Sequence, residues 1–496
     1  MRCHPNRLLW ASVAALYMTP ALAFGQQTRP GTLTEALAAA YANNPVLQQQ
    51  RANLRATDET VPRALSGWRP TVTINGTIGH LSGLNSEAFP GTNAVTGQTY
   101  LQHFRTSELR NEAAGELTVT EPIFNSGETL AKTGEAKNNV YAARAQLLAA
   151  EQKVFADVVN AYVVVLTNRQ ILALDRSDRA VLKEQLQAVE DQYRVGDQTE
   201  TSVAQARAAL AQADAQVRIA AASLKIANDN FRQYVGAYPA RELKPPQPLA
   251  LPVHSKSALI KMAAINNPSV VAALFAENAA KEAVKVTVAA LGPQVSVSAS
   301  AFDNSGVGGP HTRSNGGDVL ANLTIPLYQG GAEFAAIREA RDKLQAAYSG
   351  TVNAQRQSVV QAVQSWESLQ SSKATVKSLK EQVRADAIAL EGTERQEIVG
   401  TSTTLDVLNA QQLLLQAQTQ QIENVGNIVI NSYAVVAAMG RLTAEDLDLP
   451  VHHYDDLKYY RAVKDSLFGE GNAAYEGVGI SPNGDLLEDR RPKEAQ

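Results

Sequence analysis

The stretch "EIVGTSTTLDVLNAQ", from Glu397 to Gln411, breaks a region that otherwise has the composition of one long helix. A glycine is followed there by four small hydroxyl residues, which are poor helix formers. The stretch "YRVGDQTETSVAQAR", from Tyr193 to Arg207, repeats the break. Gly196 and Gly400 can each end a helix in the left-handed conformation, and a hydroxyl residue can cap the next helix. Both stretches are therefore predicted to be tips of antiparallel helical hairpins, with caps among Thr199–Ser202 and among Ser402, Thr403 and Thr404.

Apolar residues recur every three or four positions on both sides of the tips, which is the heptad pattern of coiled-coil helices. In the helix before Gly196 the register slips once, as in a stutter. From Gly127 to Gly196 such a helix has about 68 residues and spans ~100 Å at 1.5 Å per residue, far more than a globular domain requires. The predicted seam residues are Ala136, Val140, Ala143, Leu147, Ala150, Val154, Val158, Ala161 and Val165; Val203, Ala206, Leu210, Ala213, Val217, Ala220, Leu224, Ala227 and Phe231; and Ala340, Leu344, Ala347, Thr351 and Ala354.

The chain repeats its own plan. "NNP" at Asn43–Pro45 recurs at Asn266–Pro268, an offset of 223 (268 − 45). Downstream, "TEPIFNSGE" from Thr120 matches "TIPLYQGGA" from Thr324 at an offset of 204 (324 − 120), and the two tips keep that offset. Coupled matches of this kind indicate an internal duplication. We expect a signal peptide at 1–23, a first repeat at 24–242 with a helical hairpin at 127–236, a linker at 243–256, a second repeat at 257–449 with a hairpin at 331–440, and a C-terminal region at 450–496 whose tail after Phe468 is poorly ordered.

Each repeat also contains two segments in which apolar residues alternate with small polar ones, a period that is typical of strands with one apolar face. Strands are predicted at 71–79, 113–124, 294–303 and 317–328. Residues 80–112 are predicted to form the longer and more exposed of the two hairpin loops. The apolar positions are Val72, Ile74 and Ile78; Leu117 and Val119; Val295, Val297, Ala299 and Ala301; and Ala321, Leu323, Ile325 and Leu327.

The first 23 residues have the features of a secretory signal peptide. Arg2 and Arg7 precede the apolar run "LLWASVAALYM", and Ala21–Ala23 offer a small-residue cleavage site. The one cysteine, Cys3, lies in this segment, so the mature chain is predicted to have no disulfide and no cysteine metal site. No later run is predicted to approach the ~20 apolar residues of a spanning helix, so entry into a membrane would require a β-barrel.

Such a barrel would have to be shared between copies of the chain. Four strands cannot close a barrel, because the smallest transmembrane barrels have about eight strands. An open sheet edge is not tolerated in lipid. The residues alone do not decide between dimer, trimer and tetramer.

Composition and motifs argue against several other functions. Charged residues make up 19% of the chain and the formal net charge is −4, so nucleic acid is not an expected partner. Neither an H-E-x-x-H motif, a phosphate loop nor a nucleophile elbow surrounds the histidines. No catalytic, cofactor-binding or metal-ligating residue is therefore predicted. The pair His452–His453 could hold a metal, but a solvated loop pair is the favoured interpretation; the other histidines considered are His80, His103, His254 and His311.

The order helix, strand, strand, long helix, tip, helix, present twice, resembles the TolC-like outer membrane factors of Gram-negative bacteria. The resemblance covers roughly residues 33–449 and is carried by "LTEALAAAYANNP", "TEPIFNSGE" and the two tip motifs, while "ALSGWRP" and "GRLTAEDLDLP" are similar to the type I protein secretion branch. It implies a mostly α-helical chain whose homotrimer forms a twelve-stranded β-barrel in the outer membrane and a coiled-coil tunnel across the periplasm. The implied function is a passive exit duct for type I protein secretion or multidrug efflux. The implied partners are a periplasmic adaptor protein, an inner-membrane transporter of the ABC or RND type, and outer membrane lipid.

The resemblance also implies a periplasmic gate near the second tip. The family's best-known member carries aspartates six and nine residues after the tip glycine, and those positions are Asp406 and Asn409 here. Its tyrosine and arginine sites are Glu397 and Ser402, so a weaker closed state is expected, and the aspartate site of the first half is Ser202. A ring of Asp406 side chains and a plain helix-start carboxylate favoured by the macrodipole are equal alternatives. Adaptor contacts are expected at the tip residues Val195, Gly196, Asp197, Val399, Gly400 and Thr401.

The main alternative is a periplasmic coiled-coil spacer without a channel. It accounts for the heptads and the signal peptide but not for the paired alternating strands. A barrel enzyme or an uptake receptor accounts for the strands but needs many more of them per chain. The sequence does not identify the transported cargo, because no selective pocket is predicted in such a tunnel.

Overall fold

Both halves of the computed structural model, which describes residues 29–307 and 311–467, have short helices, two strands and two long helices in that order, and the first half has one more helix before its strands. The predicted signal peptide at 1–23 and the predicted tail, residues 468–496, lie outside the described residues. A 3-10 turn, Ser66–Trp68, precedes the first strand, and α10 (Lys458–Val463) follows the second half. The first half comprises α1 (Leu33–Asn43), α2 (Pro45–Asp58), α3 (Thr60–Leu65), β1 (Thr71–Thr92), β2 (Thr99–Phe124), α4 (Glu128–Val195) and α5 (Glu200–Val235). The second half comprises α6 (Lys256–Asn266), α7 (Pro268–Ala289), β3 (Gln294–Ser305), β4 (Arg313–Thr324), α8 (Ala332–Ile398) and α9 (Thr404–Ala438).

The two strand hairpins have the same register when equivalent residues are compared. Val72 pairs with Val119 in the first hairpin, and Val295 pairs with Leu323 in the second. The offsets between these pairs are 223 (295 − 72) and 204 (323 − 119), the values of the sequence repeat. The two halves therefore share the pairing of their strands as well as the order of their elements.

The long helices form two coiled-coil hairpins, as the heptads predict. Helices α4 and α8 have 68 and 67 residues, or about 100 Å each. α4 packs against α5, α8 packs against α9, and α4 also contacts α7 and α9. A Cβ atom added at Gly426 of α9 would lie 2.8 Å from the Thr167 side chain, so α9 approaches α4 closely at that point. Buried seam residues include Ala136, Val140, Leu147, Val154, Val158, Ala161 and Val165 on α4, and Val203, Ala206, Ala213, Ala220, Ala227 and Phe231 on α5.

Residues 80–112, predicted to be a loop, are mostly strand. β1 and β2 pair along their whole length, from Thr71–Thr120 to Thr92–Thr99. A tight turn joins them, in which the Asn93 N–H donates to the Gln98 carbonyl at 2.9 Å. The loop prediction is wrong because the ribbon of β1 and β2 extends beyond β3, whose pairing with β2 begins only at Ala113. Both faces of the ribbon are exposed, so its sequence needs no apolar alternation.

The fourth strand is displaced relative to its predicted bounds of 317–328. β4 covers residues 313–324, so Ile325 and Leu327 lie after its end. Pro326 accounts for the termination, because proline has no backbone N–H to donate to a strand ladder.

The four strands form one antiparallel sheet in the order β1–β2–β3–β4 with two chemically different faces. The register places the predicted apolar positions within the strands on one face, and Ile78 on this face is 87% exposed in the single chain. The opposite face is polar and forms a hollow of about 360 Å³. This hollow is lined by Asn75, Thr77, Ala114, Glu116, Ser300, Phe302, Asn304 and Asp318.

The main hydrophobic core lies where the middle of α4 meets α1 and the ends of α5 and α9. Phe155, Tyr162 and Phe231 are its largest fully buried side chains. The Tyr162 hydroxyl lies 2.9 Å from the Gly31 carbonyl oxygen and 2.8 Å from that of Lys244. Tyr162 therefore ties both the start of the described chain and the segment between the halves to the long helix.

The C-terminal region up to residue 467 packs back on the first half. The Tyr459 hydroxyl donates to the Glu59 carboxylate at 2.5 Å. Arg144 of α4 forms an ion pair with Asp456 at 3.4 Å. These contacts place α10 beside α2, α3 and α4.

One helical segment of the described chain, Lys256–Ala289, is long and apolar enough to cross a membrane by length and composition. The prediction that no such run follows the first 23 residues is therefore wrong by this criterion. The segment consists of α6 and α7 and is divided at Asn267, whose side chain caps α7 ahead of Pro268. α6 and α7 both pack on α8, and α7 also packs on α4. We assign the apolar character of this segment to helix packing.

Candidate functional site

The two hairpin tips have the same backbone geometry. At the first tip Gly196 has a φ of 90°, and the Asp197 N–H donates to the Gln192 carbonyl at 2.9 Å. At the second tip Gly400 has a φ of 76°, and the Thr401 N–H makes the equivalent bond, also at 2.9 Å. A left-handed glycine followed by this bond is the Schellman end of a helix. The predicted helix stops are confirmed.

Each following helix is capped by a threonine. The Thr199 hydroxyl accepts a hydrogen bond from the Ser202 N–H at 3.2 Å. The Thr403 hydroxyl accepts one from the Asp406 N–H at 3.3 Å. Of the three hydroxyl residues predicted for the second cap, the middle one is used.

Asp406 completes a capping box with Thr403. Its Oδ2 accepts from the Thr403 N–H at 2.9 Å, from the Thr403 hydroxyl at 2.7 Å and from the Ser402 hydroxyl at 3.2 Å. The hydrogen bonds from Thr403 lower the pKa of Asp406 below its ordinary value. Because the folded pKa is lowered, the stabilisation is present above the ordinary carboxyl pKa and is lost as the pH falls through the folded pKa. Within one protomer Asp406 is thus a helix-start carboxylate, and its role in a ring of several protomers stays a prediction.

The other predicted gate residues lie at different places around the tips. The Glu397 carbonyl accepts the Gly400 N–H at 2.9 Å. Asn409 lies between one and two turns after the cap Thr403 of α9 and lines a groove behind the tip. The Ser202 hydroxyl lies 3.1 Å from the Thr199 hydroxyl at the first tip. The side chains of two predicted gate residues, those of Ser402 and Asp406, are in hydrogen-bond contact.

The predicted adaptor-contact residues form an exposed, partly apolar end of the molecule. Val195 is 81% exposed and Val399 is 72% exposed, next to the exposed Ile398. Two large apolar side chains at adjacent exposed positions offer surface that a protein partner could cover. The polar or glycine positions Gly196, Asp197, Gly400 and Thr401 are exposed as well.

A groove of about 590 Å³ lies behind the tips, between α4, α5 and α9. Asp175 and Asp178 of α4 line it and are 4% and 7% exposed. Asp178 Oδ1 accepts a hydrogen bond from Gln411 Nε2 at 2.8 Å. Burial raises the pKa of both aspartates, and the neighbouring charge of Asp178 adds to the rise for Asp175. The rest of the lining is amide, hydroxyl and apolar: Leu182, Gln205, Ala208, Ala209, Gln212, Ala213, Gln216, Leu405, Leu408, Asn409, Gln411, Gln412, Leu415, Gln416, Thr419 and Gln420.

The groove was not predicted from the sequence, although one signal for it was present. Asp175 precedes Leu182 by seven residues, so the heptad places both on the same buried side of α4. A carboxylate on the buried side of a coiled coil is costly unless a partner compensates its charge. That combination could have marked Asp175 as a residue with a function.

Within residues 29–307 and 311–467, no cluster of three or more His, Cys, Asp or Glu side chains is arranged to hold a metal ion. His452 Nδ1 lies 3.0 Å from the His453 carbonyl oxygen. The His453 ring meets the Tyr41 ring in an edge contact, with 6.5 Å between the ring centroids. Both histidines of the predicted loop pair thus have protein partners.

Known outer membrane proteins share this sequence and architecture. The sequence pattern of the outer membrane efflux protein family matches residues 36–237 and 259–441. The outer membrane efflux protein BepC of Brucella suis is 32% identical over 458 residues, which cover 92% of this chain and 95% of BepC. The outer membrane protein TolC of Escherichia coli is 24% identical over 453 residues, covering 86% of this chain and 85% of TolC. The CmeC outer membrane channel of Campylobacter jejuni has the same fold, with a TM-score of 0.71, 15% identity and coverage of 87% of this chain and 89% of that one.

The two matched segments contain both strand pairs and both hairpin tips. The agreement therefore includes the elements from which the duplicated architecture is built. The chain belongs to the outer membrane efflux protein family, and it is located in the outer membrane and extends into the periplasm.

Proposed function

We propose that this chain forms, as a homotrimer, the exit duct of a tripartite export system, a passive conduit that leads from the periplasm to the exterior. The observation that carries the proposal is the sheet, which has an exposed apolar face opposite a polar, hollow face. An apolar outer face suits lipid, and a polar inner face suits a water-filled passage.

The edges of the sheet support the assembly. Among the described residues, β1 and β4 each pair with one strand only, so each presents a row of unpaired backbone groups. An open edge is not tolerated in lipid, and four strands are too few to close a barrel. Neighbouring protomers supply the missing partners. Three copies give a twelve-stranded barrel, continued into the periplasm by the helical hairpins.

The hairpin tips are the ends available to partners. The proposal assigns Val195, Val399 and their neighbours to contacts with a periplasmic adaptor protein. An inner-membrane transporter of the ABC or RND type then loads the duct. Type I protein secretion and multidrug efflux both fit such a conduit, because the adaptor and the transporter select the cargo.

Topology gives one test. The β1–β2 ribbon extends beyond the rest of the sheet, and Val95 in its turn is 94% exposed. Proteinase K added to intact cells is expected to cut at residues 93–98 before it cuts any helix. Permeabilised cells are the control, because there the tips at Gly196 and Gly400 also become accessible. Cleavage at either tip in intact cells would place the tips outside and contradict the proposal.

The gate gives a second test, which separates charge from helix capping. If Asp406 of each protomer lines a constriction, Asp406→Asn removes a ring of negative charge. Cation preference in planar bilayers is then expected to fall, and block by a trivalent cation to weaken by at least roughly fivefold for each charge removed, because even two unit charges about 4 Å apart in water interact by about 1 kcal/mol. The matched control Thr403→Ala breaks the capping box but keeps the charge, so it should leave selectivity unchanged.

Unchanged selectivity and block in Asp406→Asn would limit Asp406 to its role as a cap. The sites Glu397 and Ser402 lack the tyrosine and arginine of the family's best-known member. We therefore expect the unmodified channel to show frequent spontaneous openings in the same recordings.

A further inference from the structure

The groove between α4, α5 and α9 has the size of a small-molecule site. Its volume of about 590 Å³ falls within the roughly 300–1,000 Å³ of pockets that hold drug-sized ligands. We propose that this groove binds an amphipathic organic cation, with its ammonium group at Asp175 and Asp178 and its apolar body along the helices.

Asp175 provides the main argument. The side chain is 4% exposed and lines the groove, yet in the part of the chain that the structure describes its Oδ2 has no hydrogen-bond partner. A buried carboxylate oxygen without a partner costs free energy. An ammonium group in the groove would supply the missing donor through a charge-assisted hydrogen bond.

The charges around the pair favour a cation over an anion. Every lining residue that α5 and α9 contribute is uncharged, and the described lining of α4 adds only Leu182 to the two aspartates. The nearby Arg179 of α4 forms an ion pair with Asp214 of α5. On the facing helix α9, the hydrogen-bond partner of the two aspartates is the neutral amide of Gln411, which contacts Asp178. The two carboxyl groups thus present uncompensated charge to the groove.

The rest of the lining favours an organic cation over a metal ion. Leu182, Ala209, Leu405 and Leu408 give the groove an apolar wall, and glutamine amides lie beside it. A Ca²⁺ ion would take six to eight oxygen ligands and leave that wall unused. An amine that carries an apolar body would use the carboxylates, the amides and the wall together.

The proposal goes beyond a passive duct, because a wall site would retain or sense cationic molecules near the tips. It does not depend on conduction, since binding is measured on the purified, detergent-solubilised protein. If the protein binds the amine but does not conduct, only the proposed exit duct is overturned. If it conducts but does not bind the amine, only the proposed amine site in the groove is overturned.

The probe is dansylcadaverine, a primary amine with an apolar fluorophore, and its N-acetylated form is the matched neutral compound. Fluorescence anisotropy titrations are expected to show that the amine binds. The affinity of the acetylated form is expected to be lower by a factor of about ten or more. The double variant Asp175→Asn/Asp178→Asn is expected to reduce amine affinity by a similar factor and to leave the neutral compound unaffected. Glu184→Gln, which removes an exposed charge of the same helix outside the lining, is expected to change neither affinity.

Amine binding is also expected to weaken as the pH is lowered, and to do so at a higher pH than for a pair of ordinary aspartates, because burial raises the pKa values of Asp175 and Asp178. The single variant Asp175→Asn and a thermal melt of each variant separate lost binding from lost folding. Equal affinities for amine and acetylated compound would overturn the proposal. Unchanged amine affinity in a folded double variant would overturn it as well. So would a competition experiment in which Ca²⁺ displaces the amine and other organic cations do not.

Discussion

Tyr162→Ala is expected to destabilise the protein by about 3–5 kcal/mol, the range for truncating a large buried aromatic side chain. Tyr162 is 0% exposed, and its ring packs against Phe231 with 6.2 Å between the ring centroids. Its removal also leaves the carbonyl oxygens of Gly31 and Lys244 without their hydroxyl partner. A cavity and two lost contacts would thus arise where the first helix, the long helix and the segment between the halves meet.

Tyr162→Phe is the matched control, because it keeps the ring and removes only the hydroxyl. Its expected cost is about 0.5–1.5 kcal/mol, the net contribution of an ordinary hydrogen bond, because the Gly31 carbonyl still accepts from the Lys244 N–H at 3.0 Å. Thermal unfolding of the solubilised protein should therefore show a clearly larger loss for Tyr162→Ala than for Tyr162→Phe. Equal losses would assign the stabilisation to the hydroxyl alone, and unchanged melting of both variants would contradict the placement of the core.

The pH dependence of Tyr162 has a definite sign. Burial raises the pKa of Tyr162 to about 12, so the folded state favours the neutral hydroxyl. The stabilisation is present below the ordinary tyrosine pKa and is lost as the pH rises through about 12. Tyr162→Phe removes this titration along with the hydroxyl.

The hairpins could be predicted from the sequence because their determinants are local. Gly196 and Gly400 end helices through their own backbone conformation, and Thr199 and Thr403 cap helices a few residues away. The strand faces could be predicted for the same reason, since alternation with a period of two is visible within one segment. Signals that act over a few residues survive in a single sequence.

The features that were missed depend on more distant neighbours. Residues 80–112 pair mostly as strands without apolar alternation, because most of the described residues on both faces of that ribbon are exposed. The groove brings Asp178 of the first half to Gln411 of the second, 233 positions away. A gate built from a ring of Asp406 side chains could not be recognised in a single chain, because the other aspartates of the ring would belong to neighbouring protomers.

The central claim is that copies of this chain share one barrel, and the internal repeat predicts the register between them. Within the protomer, Leu117 of β2 lies opposite Ala301 of β3. The repeat makes β4 the equivalent of β2 and β1 the equivalent of β3. Applying the offsets places Ala321 (117 + 204) of one protomer opposite Ile78 (301 − 223) of the next.

A disulfide tests this register directly, because the chain has one cysteine, Cys3, and it lies within the predicted signal peptide. Opposed residues of antiparallel strands have Cα atoms about 4.5–5.5 Å apart, within the range that a disulfide spans. The test variant is Ile78→Cys/Ala321→Cys. Its matched control is Ile74→Cys/Ala321→Cys, in which a shift of four residues separates the pair by about 13 Å.

The measurement is non-reducing gel electrophoresis of oxidised outer membranes. For Ile78→Cys/Ala321→Cys the predicted result is covalent dimers and trimers, with nothing larger, and these species disappear on reduction. For the control variant the predicted result is monomers. Monomers from both variants, or the same cross-linking in both, would contradict a barrel closed by pairing β1 of one protomer with β4 of the next.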